Sequence, residues 1–244
     1  MTWISYGRLA VLKQLCLCVA SFSLLTGCTS VYQASIEHSD FVLISPNTYA
    51  DPALSEQQTS QVLELIQQAK RRIENRFGPL TVKPVIIITG TSENAAKYGL
   101  GVFPGTAFIA PWNISLVLDQ TQIDSPDVIA HELMHAQVAH MLGYRKFMLE
   151  LPTWLSEGIA MQVDEREQYE IDFEQFDPQE IARIKQVESN ADFWTDSKEG
   201  DIRNYRAAKA AVHQILQSES DLTGLSLYER LALVQKGASF AEMF

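Results

Sequence analysis

Two histidines and a glutamate stand close together in the run HELMH over residues 131–135. On an α-helix, residues four apart differ by about 40° around the axis, so His131 and His135 would project from one face and could grip one ion. Glu132 would lie about 60° beyond His135, close enough to act as general base towards a water molecule in the same site. The spacing therefore predicts a metal site with a neighbouring base. Two surface histidines on an amphipathic helix are the alternative.

A third ligand should follow this pair, because a catalytic zinc site usually has three protein ligands and one open position. His140 lies five residues beyond His135 and would point about 140° away from it. Glu157 is the better candidate, since it belongs to the segment PTWLSEGIA at 152–160, which predicts a second helix that can turn back antiparallel to the first. An acid near a helix N-terminus is also favoured by the helix dipole alone, which is the alternative explanation for this glutamate.

The two motifs together resemble those of the gluzincin zinc peptidases, in particular the peptidase MA-like group. The resemblance implies that His131, His135 and Glu157 bind one Zn2+ ion per chain and that Glu132 is catalytic. It is strong over 125–162, weaker on both sides of that range and absent before about residue 80. The fold that it implies is a zincin-like α+β domain with a small N-terminal mixed or antiparallel sheet, an active-site helix and a helical C-terminal part.

Members of this group commonly carry a tyrosine or histidine on a later helix, where it donates a hydrogen bond to the oxyanion. Tyr205 occupies the corresponding place, so the resemblance makes it a second catalytic candidate, with a core or capping tyrosine as the alternative. Two features of related enzymes are missing from this sequence. Position 161 is Met where some gluzincins have an Asp that holds a ligand histidine, and no GxMEN run of the aminopeptidase type precedes the first motif. The second departure favours an endopeptidase.

The N-terminal segment has the features of a signal peptide. Residues 1–27 contain no Asp or Glu, and the apolar stretch at 15–25 is too short for a comfortable permanent membrane span. The following run, LTGC at 25–28, resembles the lipobox of bacterial lipoproteins, which are cut before the cysteine and lipidated on it. An ordinary secretory signal with a chance cysteine is the alternative. Because Thr29 stands where an Asp would indicate inner-membrane retention, the resemblance implies an outer-membrane lipoprotein that faces the periplasm and is attached through Cys28.

Length and composition fit one folded domain behind this leader. The chain has 244 residues, of which 46% are hydrophobic and 20% charged, so it can bury a substantial core. We expect a signal peptide over 1–27, a polar tether over 28–53 and a single domain over 54–244, with its sheet at about 80–120 and helices over about 125–244. The formal charge of −11 disfavours nucleic acids and anionic lipid surfaces as general partners.

Local patterns predict several elements of this domain. Ser55 and Gln58 form a capping box ahead of an apolar helix period that ends at Gly78. The run VIIIT at 85–89 predicts a buried strand, and further strands are expected at 107–110 and 114–118, the latter as a partner for an extended substrate. A helix is expected from Pro126, after an N-cap at Ser125, to about 142. Further helices are expected over 153–163, 205–216 and 225–234, with another after Asp177.

These observations predict zinc-dependent hydrolysis of peptide bonds in a protein or peptide substrate within the cell envelope. One alternative is a catalytically silent, metal-binding lipoprotein that acts as a scaffold or regulator. A scaffold would keep the metal ligands but would not need Glu132, so the presence of Glu132 favours the enzyme. A second alternative is zinc-dependent action on a non-protein amide, such as a peptidoglycan stem peptide.

Overall fold

A computed structural model describes residues 33, 35–217 and 224–244, so the predicted signal peptide and Cys28 lie outside the described residues. Within this part of the chain, a five-stranded mixed sheet is combined with helices, which confirms the predicted α+β class. The strands are β1 (Val42–Ser45), β2 (Thr48–Ala50), β3 (Val85–Thr89), β4 (Gly105–Ala110) and β5 (Asn113–Asp119). The helices are α1 (Glu56–Phe77), α2 (Ser92–Lys97), α3 (Asp127–Leu142), α4 (Tyr144–Leu149), α5 (Thr153–Ala160), α6 (Pro178–Ile184), α7 (Asn190–Phe193), α8 (Lys198–Gln217), α9 (Leu227–Gln235) and α10 (Phe240–Met243). In the described ranges, no helix is long and apolar enough to cross a membrane.

The sheet has the strand order β1-β2-β3-β5-β4. Its centre is β3, whose four residues from Ile86 to Thr89 are all buried, as expected for a parallel strand covered on both faces. β2 and β5 pair with β3 in parallel, whereas β1 and β4 pair antiparallel and form the two edges. The strand over 114–118 therefore cannot receive an extended substrate, since β3 and β4 occupy both of its edges. That expectation is corrected: the edge strand on this side is β4.

Part of the predicted tether over 28–53 belongs to the sheet. Residues 42–50 form the β1-β2 hairpin, in which the turn residue Asn47 has a φ of 58°, and β2 pairs with β3. Ile36 and Phe41 are buried beside this hairpin in a small second core. The physical reason is the burial of Ile36, Phe41 and Ala50, whose apolar side chains leave water although Val42 and Leu43 stay exposed. Among the described residues, the chain is therefore packed against the domain well before residue 54.

Helix boundaries follow local capping signals closely. Ser55 and Gln58 make the predicted capping box of α1, and Gly78 ends that helix with a φ of 95°. Helix α3 begins at Asp127, one residue after the expected start at Pro126, and ends at Leu142, with Gly143 as its C-cap. Helix α8 begins at Lys198, well before the expected residue 205. Its first turns are polar and carry no apolar period, so the sequence pattern did not indicate them.

Helix α3 lies in the middle of the main core. It contacts α1, α5, α9 and the strands β4 and β5, and most of its side chains are buried on every side. A helix covered on all faces is expected to be apolar all round. Buried polar residues on such a helix need polar or charged partners, and His131 is one of these residues.

Helix α5 packs closely against α8 at Gly158. A Cβ atom built on Gly158 would lie 2.5 Å from the backbone oxygen of Ala208 and 2.6 Å from a methyl group of Val212. Both distances are far below van der Waals contact, and a backbone oxygen cannot turn aside as a flexible side chain can. The small residue at this position therefore permits the approach of the two helices and fixes the position of the neighbouring Glu157.

We expect Gly158→Ala to lower the free energy of unfolding by about 1–3 kcal/mol, as overpacking of a tight core does. The direction of this change in stability is informative, because Gly→Ala in an unhindered helix raises the free energy of unfolding by up to about 1 kcal/mol. Denaturant unfolding of the metal-free protein measures the effect, and Ser60→Ala on the exposed face of α1 is the control. Unchanged or increased stability of the Gly158 variant would mean that α5 and α8 separate easily.

Candidate metal centre

Three side chains from two helices converge at one point. His131 and His135 on α3 have their Nε2 atoms 3.1 Å apart. Glu157 on α5 places its Oε2 atom 3.3 Å from the first of these nitrogens and 3.5 Å from the second. The candidate ligand atoms all lie within 4.8 Å of one another, and the side chains are 6, 12 and 9% exposed. The predicted pairing of the two motifs is thus present as a compact, buried group.

This group fits a cation. Among the described residues, Glu157 Oε2 is buried and has no hydrogen-bond partner, although two imidazole nitrogens face it. Burial would raise the pKa of Glu157, but the imidazoles of His135 and His131 outweigh it and hold that pKa well below the ordinary value. A buried carboxylate and two imidazoles that share one small space need a positive charge between them. The group can therefore hold a metal ion.

In the metal-free protein, a proton supplies part of this positive charge. Burial alone would lower the pKa of His131, but Asp164 and Glu157 raise it to about 10. Metal ligation requires a neutral imidazole, so an incoming ion has to displace this proton. Metal binding to these residues is therefore expected to be weaker at low pH.

A second layer of side chains orients the two histidines. Asp164, which is fully buried, places its Oδ2 atom 3.4 Å from His131 Nδ1. The Oγ atom of Ser156 lies 3.1 Å from His135 Nδ1. Contacts of this kind at Nδ1 fix the ring orientation and leave Nε2 to face the candidate ligand position.

Asp164 is itself held by two cationic side chains. Arg166 donates from Nε and Nη2 to its carboxylate at distances of 2.5–3.1 Å, and Lys209 donates to its backbone oxygen at 2.8 Å. Burial opposes ionisation, but Arg166 and His131 hold the pKa of Asp164 well below its ordinary value. The carboxylate beside His131 is therefore charged.

The sequence motifs did not reveal Asp164. The position expected from related enzymes was 161, four residues after Glu157, which assumes that the helix continues. Helix α5 instead ends at Ala160, and the turn that follows brings residue 164 back beside α3. One feature of the sequence does indicate this residue: Asp164 is the first charged residue after Glu157.

Glu132 lies beside the three ligand candidates without joining them. Its Oε2 atom accepts a hydrogen bond of 2.6 Å from the backbone N–H of Ala107 on the edge strand β4. Burial raises the pKa of Glu132, and the neighbouring charges of His131 and His135 oppose that rise only in part. A carboxylate with a raised pKa is better suited to take up a proton and release it near neutral pH.

Tyr205 on α8 also reaches the site. Its ring centroid lies 6.1 Å from that of His131, and it packs between the rings of Tyr169 and Phe193. Trp194 Nε1 donates a hydrogen bond of 3.2 Å to the Tyr205 hydroxyl oxygen. Burial raises the pKa of Tyr205, so the hydroxyl keeps its proton. Since the oxygen accepts from Trp194, its own hydrogen is left to be donated elsewhere.

These residues open into one cleft of about 990 Å3. It is lined by residues of the edge strand β4 and by His131, Glu132 and His135 of α3. Residues that connect α4 to α5 and the segment around α7 complete the lining. The cleft gives an outside molecule access to the metal candidate, to Glu132 and to Tyr205 at once.

The structure therefore brings five of the six residues singled out from the sequence into one place: His131, Glu132, His135, Glu157 and Tyr205. Cys28 lies outside the described residues. No protein-family model matches the chain, and a search of curated proteins finds no significant match. Function is accordingly inferred from the geometry of the cleft.

Proposed function

We propose that this protein is a zinc-dependent endopeptidase with a zincin-like fold of the gluzincin type. The observation that carries the proposal is the group of two histidines and one glutamate beside Glu132, a partly buried carboxylate that is not part of the group. Two histidines and a glutamate with an open position form a common ligand set of catalytic zinc. A purely structural zinc site would be closed by a fourth protein ligand, and it would not need a cleft.

When bound, zinc lowers the pKa of a water molecule to about 7 and polarises carbonyl groups. Glu132 then takes a proton from the attacking water and passes it to the leaving amine. The Ala107 N–H holds one oxygen of Glu132 at 2.6 Å, which fixes the carboxylate and leaves its other oxygen for this transfer. The raised pKa of Glu132 favours the first half of the cycle, in which the carboxylate takes the proton from water.

Tyr205 is the proposed donor to the oxyanion. Trp194 occupies one lone pair of its hydroxyl oxygen, and the packing of Tyr169 against the Tyr205 ring limits its movement. A single well-placed donor of this kind contributes about 3 kcal/mol to the stability of a transition state.

The edge strand β4 suits an extended substrate. The Ala107 N–H points away from β5, and residues two apart on a strand face the same edge, so Ile109 also directs its N–H and C=O outwards. Because Glu132 accepts from the Ala107 N–H, the groups proposed to pair with a substrate are the Ala107 C=O and the N–H and C=O of Ile109. A peptide that adds to this edge would be bound through its backbone, with little dependence on its termini. Binding of this type fits cleavage inside a chain and so favours an endopeptidase.

Chelation tests the proposed activity. The mature domain should cleave an unfolded protein, lose that activity on incubation with a chelator and regain it on addition of zinc. Mass spectrometry of the products should show cuts at internal peptide bonds. Fully metal-loaded protein that leaves unfolded and envelope proteins intact would favour the catalytically silent scaffold or regulator.

For the location, we propose an outer-membrane lipoprotein that faces the periplasm, with Cys28 as the site of lipidation. The support for this is the LTGC run at 25–28 after an acid-free leader. Because the acyl chains would be the membrane attachment, Cys28→Ser should release the protein into the soluble periplasmic fraction. Cys28→Ser protein that still fractionates with the outer membrane would instead show attachment through another molecule.

A further inference from the structure

Several large apolar side chains are left exposed around the cleft. Phe103, Met148, Leu149 and Trp194 all line it, with exposed fractions of 61, 50, 74 and 42%. They come from three separate segments: the loop before β4, the end of α4 and the segment after α7. Single exposed apolar residues are ordinary, but four that line the same cleft bring apolar surface together at one site, as binding sites do. We call these four residues the apolar collar.

The charged residues of the cleft indicate which ligands the apolar collar can bind. The lining of the cleft contains the carboxylates of Glu132, Glu150, Glu157 and Glu188, and no Lys or Arg among the described lining residues. Glu150 is paired with Lys146 and Arg145 outside the cleft, and Glu157 faces His131 and His135 in the metal group. Away from the metal group, the described lining therefore offers an acidic side chain only further carboxylates and no Lys or Arg as a partner. An acidic ligand is therefore disfavoured.

Backbone groups supply the remaining constraint. The outward edge of β4 runs along the same cleft, with Ala107 and Ile109 in its lining. This edge can pair with an extended chain, while the collar can cover side chains that alternate on either side of it. An extended polypeptide with large apolar side chains satisfies both surfaces.

We propose that the apolar collar selects unfolded polypeptide segments rich in large apolar residues, and that such segments are the substrate class of this site. The proposal rests on the peptidase function proposed above. Folded proteins bury such residues and hold them away from an edge strand. Peptidoglycan stem peptides, which consist largely of alanine, glutamate and a diamino acid, offer mainly small and charged groups to the collar.

Peptide binding to the Glu132→Gln variant tests this selection without cleavage. Three fluorescein-labelled peptides of equal length are compared by fluorescence anisotropy: one rich in leucine and phenylalanine, one rich in serine and glutamine, and one rich in glutamate. The apolar peptide should bind at least about 10-fold more tightly than the neutral polar one, since each buried apolar side chain strengthens binding severalfold. The glutamate-rich peptide should bind most weakly.

Substitution of the collar identifies where that preference arises. The double variant Met148→Ser and Leu149→Ser should weaken binding of the apolar peptide by at least about 10-fold and leave the polar peptide unchanged. Both side chains are at least half exposed, so the fold does not depend on them. Leu43→Ser is the matched control, because Leu43 is 59% exposed on β1, at the opposite edge of the sheet.

Equal binding of the apolar and polar peptides would contradict selection by the apolar collar. An equal loss of apolar-peptide binding in the Leu43 control would contradict it as well. Tighter binding of a purified stem peptide than of the apolar peptide would overturn it in favour of the cell wall. None of these binding results depends on cleavage of the peptide, so the proposed peptidase function and the proposed selection of apolar peptides can be contradicted independently. Absence of chelator-sensitive cleavage, with the collar preference intact, would mean a peptide-binding protein that does not hydrolyse.

Discussion

Replacing Glu132 by Gln should lower kcat/KM for cleavage of an unfolded protein by at least about 10²-fold, the lower end for the loss of a general base. Glutamine keeps the size of the side chain and can still accept the hydrogen bond from the Ala107 N–H. The glutamine side chain cannot accept a proton from water, so no group at position 132 can pass that proton to the leaving amine. The metal content should stay unchanged, because Glu132 is outside the group of His131, His135 and Glu157.

The matched control for this variant is Glu64→Gln, which removes an exposed carboxylate on α1 and should keep full activity. Rates are compared at equal metal loading, measured on the same samples by mass spectrometry. Equal activity of the Glu132 variant and the wild type would exclude Glu132 as the base. Loss of metal together with activity would instead move Glu132 into the ligand set.

Replacing Glu157 by Ala should abolish stoichiometric metal binding. The change removes one of three ligand candidates and leaves the two histidines of α3 alone, so we expect the affinity for zinc to fall by more than about 100-fold. Asp164→Asn provides a graded comparison. It keeps the size of the side chain but removes the charge that faces both His131 and Arg166, and losing such a contact to a ligand histidine typically lowers metal affinity by about 10–100-fold. Competition with a chromophoric chelator measures all three proteins on one scale.

Two outcomes would contradict this assignment. Stoichiometric zinc in the Glu157 variant would place the third ligand elsewhere in the chain. A loss in Asp164→Asn as large as in Glu157→Ala would mean that Asp164 belongs to the ligand set itself. His135→Ala should match the Glu157 variant, because both contribute one atom to the same group.

Elements with local signals were the most predictable. The capping box of Ser55 and Gln58, the Gly78 stop and the HELMH spacing depend only on residues within a few positions of one another. The ligand group could also be predicted, because a helical spacing of four and a glutamate on a following helix constrain the geometry strongly.

Features that depend on distant contacts were not predictable. β2 pairs in parallel with β3, from which it is separated by the whole of α1, so no local pattern marks residues 48–50 as a strand. The position of β5 inside the sheet likewise depends on the pairing of β3 with β5 across α2 and β4. Asp164 was missed because its contact with His131 depends on where α5 ends.

Titration of the metal-free mature domain with zinc, followed by its rate of cleavage of an unfolded protein, tests the central claim most directly. The group of His131, His135 and Glu157 predicts a rate that rises linearly and levels off near one equivalent of zinc per chain. The Glu132→Gln protein should bind the same amount of zinc and gain almost no activity. A rate that does not respond to zinc, or that is present before any is added, would contradict a zinc-dependent peptidase.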